Sequence, residues 1–243
     1  MFLFSHIVLV LMSSVLPMLA ILLYCFIQEG GWKPAIKGAS ALILSYLCVW
    51  MILPAIFYDQ DWFQQILAQT SSFAVVYCAT FAFLILAFTL LFYGRSFKRE
   101  RSSHALLIGF VEGTCYEAIF IGFIALDSLF SGLQPSNNPN EVANLWMAMT
   151  EAISMMILFA GFAFQMKRAI TNRRYWMLIV VYLEVFLLLY VGICWIDLWH
   201  LPRIAQEVLL VALSIATIYF IHHHFEWKYL LKDEEAEPIV ESE

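Results

Sequence analysis

Tyr175-Trp176-Met177-Leu178-Ile179-Val180-Val181-Tyr182-Leu183-Glu184-Val185-Phe186-Leu187-Leu188-Leu189-Tyr190-Val191-Gly192-Ile193-Cys194-Trp195-Ile196 is the stretch whose reading decides the fold. It carries a single charged side chain, Glu184. About 20 consecutive apolar residues in a helix cross a hydrocarbon core about 30 Å thick. A helix also satisfies its own backbone donors and acceptors where no water is available to do so. The stretch is therefore read as a membrane span. Runs of the same kind occur at roughly 4–27, 36–57, 72–94, 104–126, 143–166 and 204–224, which brings the expected number to seven.

Composition agrees. Hydrophobic residues make up 63% of the 243 and charged residues 13%, with a mean hydropathy of +0.80. A soluble domain carries about 45–50% apolar and about 25% charged residues. Seven spans use up most of the chain, so residues 1–227 are read as one all-α transmembrane domain. Residues 228–243 form an acidic tail that holds much of the net charge of −6. From Asp233 onward the tail is polar and without aromatics, and it is expected to be disordered. The first run, Phe2 to Ile27, has no basic n-region and exceeds the signal-peptide core of about 7–15 residues, so it is read as a span.

Lys and Arg set the orientation, because they gather on the cytoplasmic side. With the N-terminus outside and the C-terminus in the cytoplasm, the inner segments hold Lys33, Lys37, the group from Arg95 to Arg101, the group from Lys167 to Arg174, Lys228 and Lys232. The outer segments hold Arg203 alone. An even number of spans would break this alternation. Trp32, Trp62, Trp146, Trp176, Trp195, Trp199 and Trp227 fall at or near span ends, the headgroup level that amphipathic rings prefer. The expected location is a cell membrane, crossed several times, with lipid as an obligatory partner. No basic stripe lies outside the connecting loops, so nucleic acid is not an expected partner.

Charges inside a span cost about 2.5–3.5 kcal/mol on insertion scales, so each one calls for a reason. Glu112 and Glu117 in the fourth run, Glu151 in the fifth and Glu184 in the sixth are such charges, and no Lys or Arg is read inside a span to neutralise them. At about 1.5 Å per residue, Glu117, Glu184 and Glu151 lie roughly 20, 14 and 12 Å inside their spans, close to the midplane. They are protonated, hydrogen-bonded within the bundle, or arranged around a cation or polar group. Glu112 and Tyr116 stand at i and i+4 and share a helix face. Gly109 and Gly113 have the GxxxG spacing that lets two helices approach closely.

Other groups point to structure rather than chemistry. Cys25, Cys48, Cys78, Cys115 and Cys194 all lie in apolar runs and are expected as free thiols. His222-His223-His224 points in three directions at the end of the last span and reads as an interfacial cluster rather than a ligand set. The sequence has no H-E-x-x-H, G-x-S-x-G or Walker pattern.

The segment Gly109-Phe110-Val111-Glu112-Gly113-Thr114-Cys115-Tyr116-Glu117-Ala118-Ile119 resembles the Gly-rich segment ending in Glu-Ala-Ile of YhfC-type bacterial membrane proteins. Asn172-Arg173-Arg174-Tyr175-Trp176 and, more weakly, Val15-Leu16-Pro17 are similar too. That group includes the CAAX-processing and PrsW-type intramembrane metalloproteases and the non-catalytic anterior-pharynx-defective subunit of gamma-secretase. Members expected to be active carry an acidic pair followed by Arg in the third span, where this chain has Leu84-Ile85-Leu86-Ala87-Phe88. Where they place a His before Glu-Ala-Ile, this chain has Gly113. A catalytic zinc needs about three protein ligands. The resemblance therefore implies a non-catalytic, protease-like scaffold that binds a membrane partner or a peptide or lipid segment, with no metal or cofactor. An intramembrane metalloprotease using Glu117 and Glu184, and a carrier in which these two titrate together, are the alternatives. Glu112, Tyr116, Glu117, Glu151, Glu184, Gly109 and Gly113 are the candidate binding residues.

Overall fold

The computed structural model describes residues 2–28, 31–94, 101–130, 139–197 and 199–225. The expected acidic tail and Trp227 lie outside these residues. The described residues form helices and no strand, and seven of the helices are long and apolar enough to cross a membrane. The first span is Leu3–Ile27, the second Trp32–Phe57, the third Thr70–Tyr93 and the fourth Ser102–Asp127. The fifth is Val142–Thr171, the sixth Trp176–Trp195 and the seventh Arg203–His224. A short helix, Asp61–Ala68, joins the second to the third, with Trp62 and Phe63 packed on Phe57. The chain is thus an all-α polytopic membrane protein. Large apolar side chains lie exposed on every span, among them Leu23, Ile36, Phe83, Phe123, Ile179 and Ile215. A soluble protein would bury most of these, and a lipid-facing surface need not.

Burial identifies the centre of the bundle. In the fourth and fifth spans 56% of the apolar window is buried, against 17–33% in the other five. Glycine explains why these two pack so tightly. A Cβ added at Gly109 would collide with the carbonyl oxygen of Phe159 and stand 2.6 Å from the Cα of Ala160. One added at Gly113 would stand 2.6 Å from the Cα of Met156. The two backbones touch directly, as GxxxG spacing allows where van der Waals packing replaces hydrophobic exclusion. The pairs Gly109–Ala160 and Gly113–Met156 run in opposite directions, so the helices are antiparallel. Gly38 of the second span approaches Ile108 in the same way, with its Cβ position 2.8 Å from the Ile108 carbonyl oxygen. The third span closes the core through Phe81, which packs on Tyr116, and through Thr89.

Three spans contain a widened π turn: Leu11–Val15, Cys48–Ile52 and Ala118–Gly122. Two of them have a common cause. Pro17 and Pro54 each lack an N–H and crowd the carbonyl four residues earlier, at Ser13 and Trp50. Both carbonyls lie within the widened turns, which absorb the mismatch without breaking the helix. No proline follows the third turn, which begins immediately after Glu117. There a Cβ added at Gly122 would collide with the Ser14 hydroxyl of the first span's own π turn.

The glycine contacts give a graded expectation. Gly113→Ala must push the fifth span outward and should cost about 1–3 kcal/mol of overpacking. Gly192→Ala places its methyl where no atom lies within 4 Å and should change stability little. Unfolding titrations in micelles compare the two, and equal losses would contradict the packing described.

Candidate functional site

Between the fifth, sixth and seventh spans lies a cavity of about 700 Å³. The seventh span packs along the fifth, and the sixth leans on the third and fifth, but the sixth and seventh touch in few places. The fifth span therefore forms a floor and the other two form walls. Leu187 of the sixth span and Leu209 and Leu213 of the seventh line the cavity and are also exposed on the outer surface. The cavity is consequently a cleft that opens sideways, toward the lipid. Its floor runs from Glu151 to Gln165, fourteen residues or about 21 Å along the helix axis. The walls are mostly Leu, Ile and Met, and the polar groups sit toward the two ends.

At one end Glu184 projects beside Gln165, which hydrogen-bonds it. Its Oε2 has no hydrogen-bond partner among the described residues. At the other end stand Glu151, Tyr116 and Gln206. Arg203, the first residue of the seventh span, donates to Glu151 Oε2 at 3.3 Å, and its Nε lies 3.7 Å from Glu207 Oε1. Glu117 is 1% exposed, behind Tyr116, and has Glu151 and Glu207 within electrostatic reach. The antiparallel register explains this. Gly109 meets Ala160 and Gly113 meets Met156, so the next turn brings Glu117 level with Ala152 and Glu151.

Several expectations are revised by this geometry. Glu117 and Glu184, expected as a pair, belong to opposite ends of the cleft, on the order of 20 Å apart along the fifth span. The spans are not without a basic counterpart, because Arg203 reaches inward to Glu151. Glu112 shares a face with Tyr116, but its Oε1 accepts a 2.6 Å hydrogen bond from Thr89 Oγ1 on the third span. Buried at 3% exposure, it ties two helices together away from the cleft. Tyr116 sits in an aromatic nest of Phe81, Phe120 and Phe159. Gly109 and Gly113 act as packing positions. Glu207 and Gln206 were not foreseen. Their signal was present in Arg203 and Glu207 at i and i+4, the spacing of a helical ion pair. The five cysteines are free thiols, and His222, His223 and His224 are exposed at the end of the seventh span.

The zinc that a protease resemblance brings with it does not fit these residues. The groups around Glu117 are carboxyls and a phenol, with no imidazole among them. Among the described residues, no three His, Cys, Asp or Glu side chains are grouped so as to hold a metal ion. Compared with protein-family models, curated proteins and solved structures, the chain matches none.

Arg203 should be the energetic keystone of this end of the cleft. Arg203→Met leaves Glu151 and Glu207 without their cation and should cost about 1.5–3 kcal/mol, the range for hydrogen bonds to charged groups. Adding Glu151→Gln should recover part of that loss. A double-mutant cycle on unfolding in micelles checks it, and strictly additive effects would deny the coupling.

Proposed function

We propose that this protein is a membrane-embedded binding protein that takes the apolar chain of a lipid-like molecule from the bilayer into the cleft between its fifth, sixth and seventh spans, without chemical conversion. The observation that carries this reading is the cleft itself, with apolar walls, a lipid-facing opening and polar groups kept to its ends. Its volume of about 700 Å³ falls within the range of about 300–1,000 Å³ typical of ligand sites. Size also favours a single chain over a helix. A helix with its side chains is about 10 Å across, and about 20 Å of it fills about 1,600 Å³. A flexible chain fits the space, and a transmembrane helix would need the walls to part.

A non-catalytic role agrees with the resemblance to YhfC-type proteins, a group that includes subunits holding or presenting a substrate. It also agrees with the replacement of their acidic pair and His by Leu84 to Phe88 and Gly113. By the same resemblance, and by the distribution of Lys and Arg, we place the protein in a bacterial plasma membrane with its N-terminus outside.

Gly192 provides the test, because it lines the cleft and faces open space. Gly192→Leu should fill the cleft while leaving the helix contacts intact. In nanodiscs, photolabelling by a diazirine-bearing fatty alcohol should fall about tenfold, the factor that a loss of 1.4 kcal/mol gives. Thermal unfolding should not shift. Undiminished labelling of the cleft peptides, with the variant folded, would end this reading.

A further inference from the structure

The polar end of the cleft holds several buried acceptors around Arg203. Arg203 donates a hydrogen bond to Glu151 and lies 3.7 Å from Glu207, and Glu117 stands within electrostatic reach of both carboxyls. Glu117 Oε2, both carboxyl oxygens of Glu207 and Gln206 Oε1 are buried without a hydrogen-bond partner among the described residues. Glu117, Gln206 and Glu207 are 1%, 5% and 6% exposed. Buried polar groups are almost always paired, because each unpaired one carries its full desolvation cost. Here the unpaired atoms are all acceptors. What would complete the cluster is a group with several donors and a positive charge, and Gln206 and Glu151 are the members that line the cleft.

We infer that the cleft selects an amphiphile with a protonated primary amine, its ammonium group seated at Glu151 and Gln206 and its chain lying along the fifth span toward Glu184. An ammonium has three donors and no acceptor, matching the acceptors left unpartnered at this end. Glu117 and Glu207 do not touch the head group. They stand behind the contact residues, and their buried oxygens without a hydrogen-bond partner add to the acceptors at this end. The opposite end offers one carboxyl, Glu184, beside Gln165, with one buried oxygen, Oε2, left without a hydrogen-bond partner among the described residues. The end at Gln206 has four such oxygens and is therefore the stronger cation site. This inference rests on the cleft binding a lipid-like chain.

The test is competition for the cleft by three single-chain probes, dodecylammonium, dodecanol and dodecanoate, against a diazirine-bearing fatty alcohol. The full-length protein is held in phosphatidylcholine nanodiscs, whose zwitterionic surface does not concentrate cations, and each competitor is counted per molecule in the bilayer. Dodecylammonium should displace the probe at a concentration at least about tenfold lower than the other two. Gln206→Leu and Glu207→Gln should each shrink that preference, whereas Glu184→Gln should leave it in place. Gln206→Leu is safe for the fold, since replacing an unpartnered buried acceptor by an apolar side chain of similar size costs little. Equal displacement by all three probes would overturn the amine assignment and leave the cleft reading standing. Loss of the preference in Glu184→Gln alone would also overturn it, by moving the head group to the other end. A wild-type cleft that the photoprobe does not label, in folded protein, would remove the reading on which the inference rests.

Discussion

The direct backbone contact between the fourth and fifth spans, made at Gly109 and Gly113 against Phe159, Ala160 and Met156, constrains the rest of the molecule. A side chain at either glycine would hold the two helices apart, and the register between them would be lost. With the contact made, the fifth span is drawn into the centre and becomes the shared surface on which the fourth, sixth and seventh pack. The same register brings Glu117 level with Glu151, and Arg203 reaches that group from the start of the seventh span. Packing and electrostatics are therefore set together by two residues that lack side chains.

The cleft follows from the same arrangement. The sixth and seventh spans each have a partner in the fifth and make little contact with each other. In water such a gap would close, because the hydrophobic effect would drive the apolar walls together. In a bilayer that driving force is missing, since lipid tails are as apolar as leucine, and the gap persists wherever something apolar can fill it. The polar residues at the two ends are buried in protein or face one another, where intramembrane charge is tolerated.

Much of this was legible in the sequence. Span count, span positions and the helical class follow from the length of the apolar runs, because a membrane allows few structures. Glu112, Glu117, Glu151 and Glu184 stood out because charge inside an apolar run is costly, and the GxxxG spacing pointed to the helix face that packs most tightly. What each residue does was not legible. Distance along a helix gives depth within that helix but not which residues of its neighbours it meets, so Glu117 and Glu184 looked like partners although the register of the fourth and sixth spans on the fifth puts them at opposite ends of the cleft. Thr89, the partner of Glu112, is one of several hydroxyls in apolar runs and carries no mark of its own. Arg203 looked like a loop residue because it opens its span, and its reach to Glu151 depends on the fifth and seventh spans running side by side. The cleft is a property of the spacing between helices, which no single run encodes.

An experimental density map of the protein in a lipid nanodisc tests the central claim most directly. The account predicts a gap between the sixth and seventh spans, floored by the fifth, with an elongated feature lying along it between Glu184 and Gln206. Sixth and seventh helices packed side chain to side chain along their length, with no room between them, would contradict it.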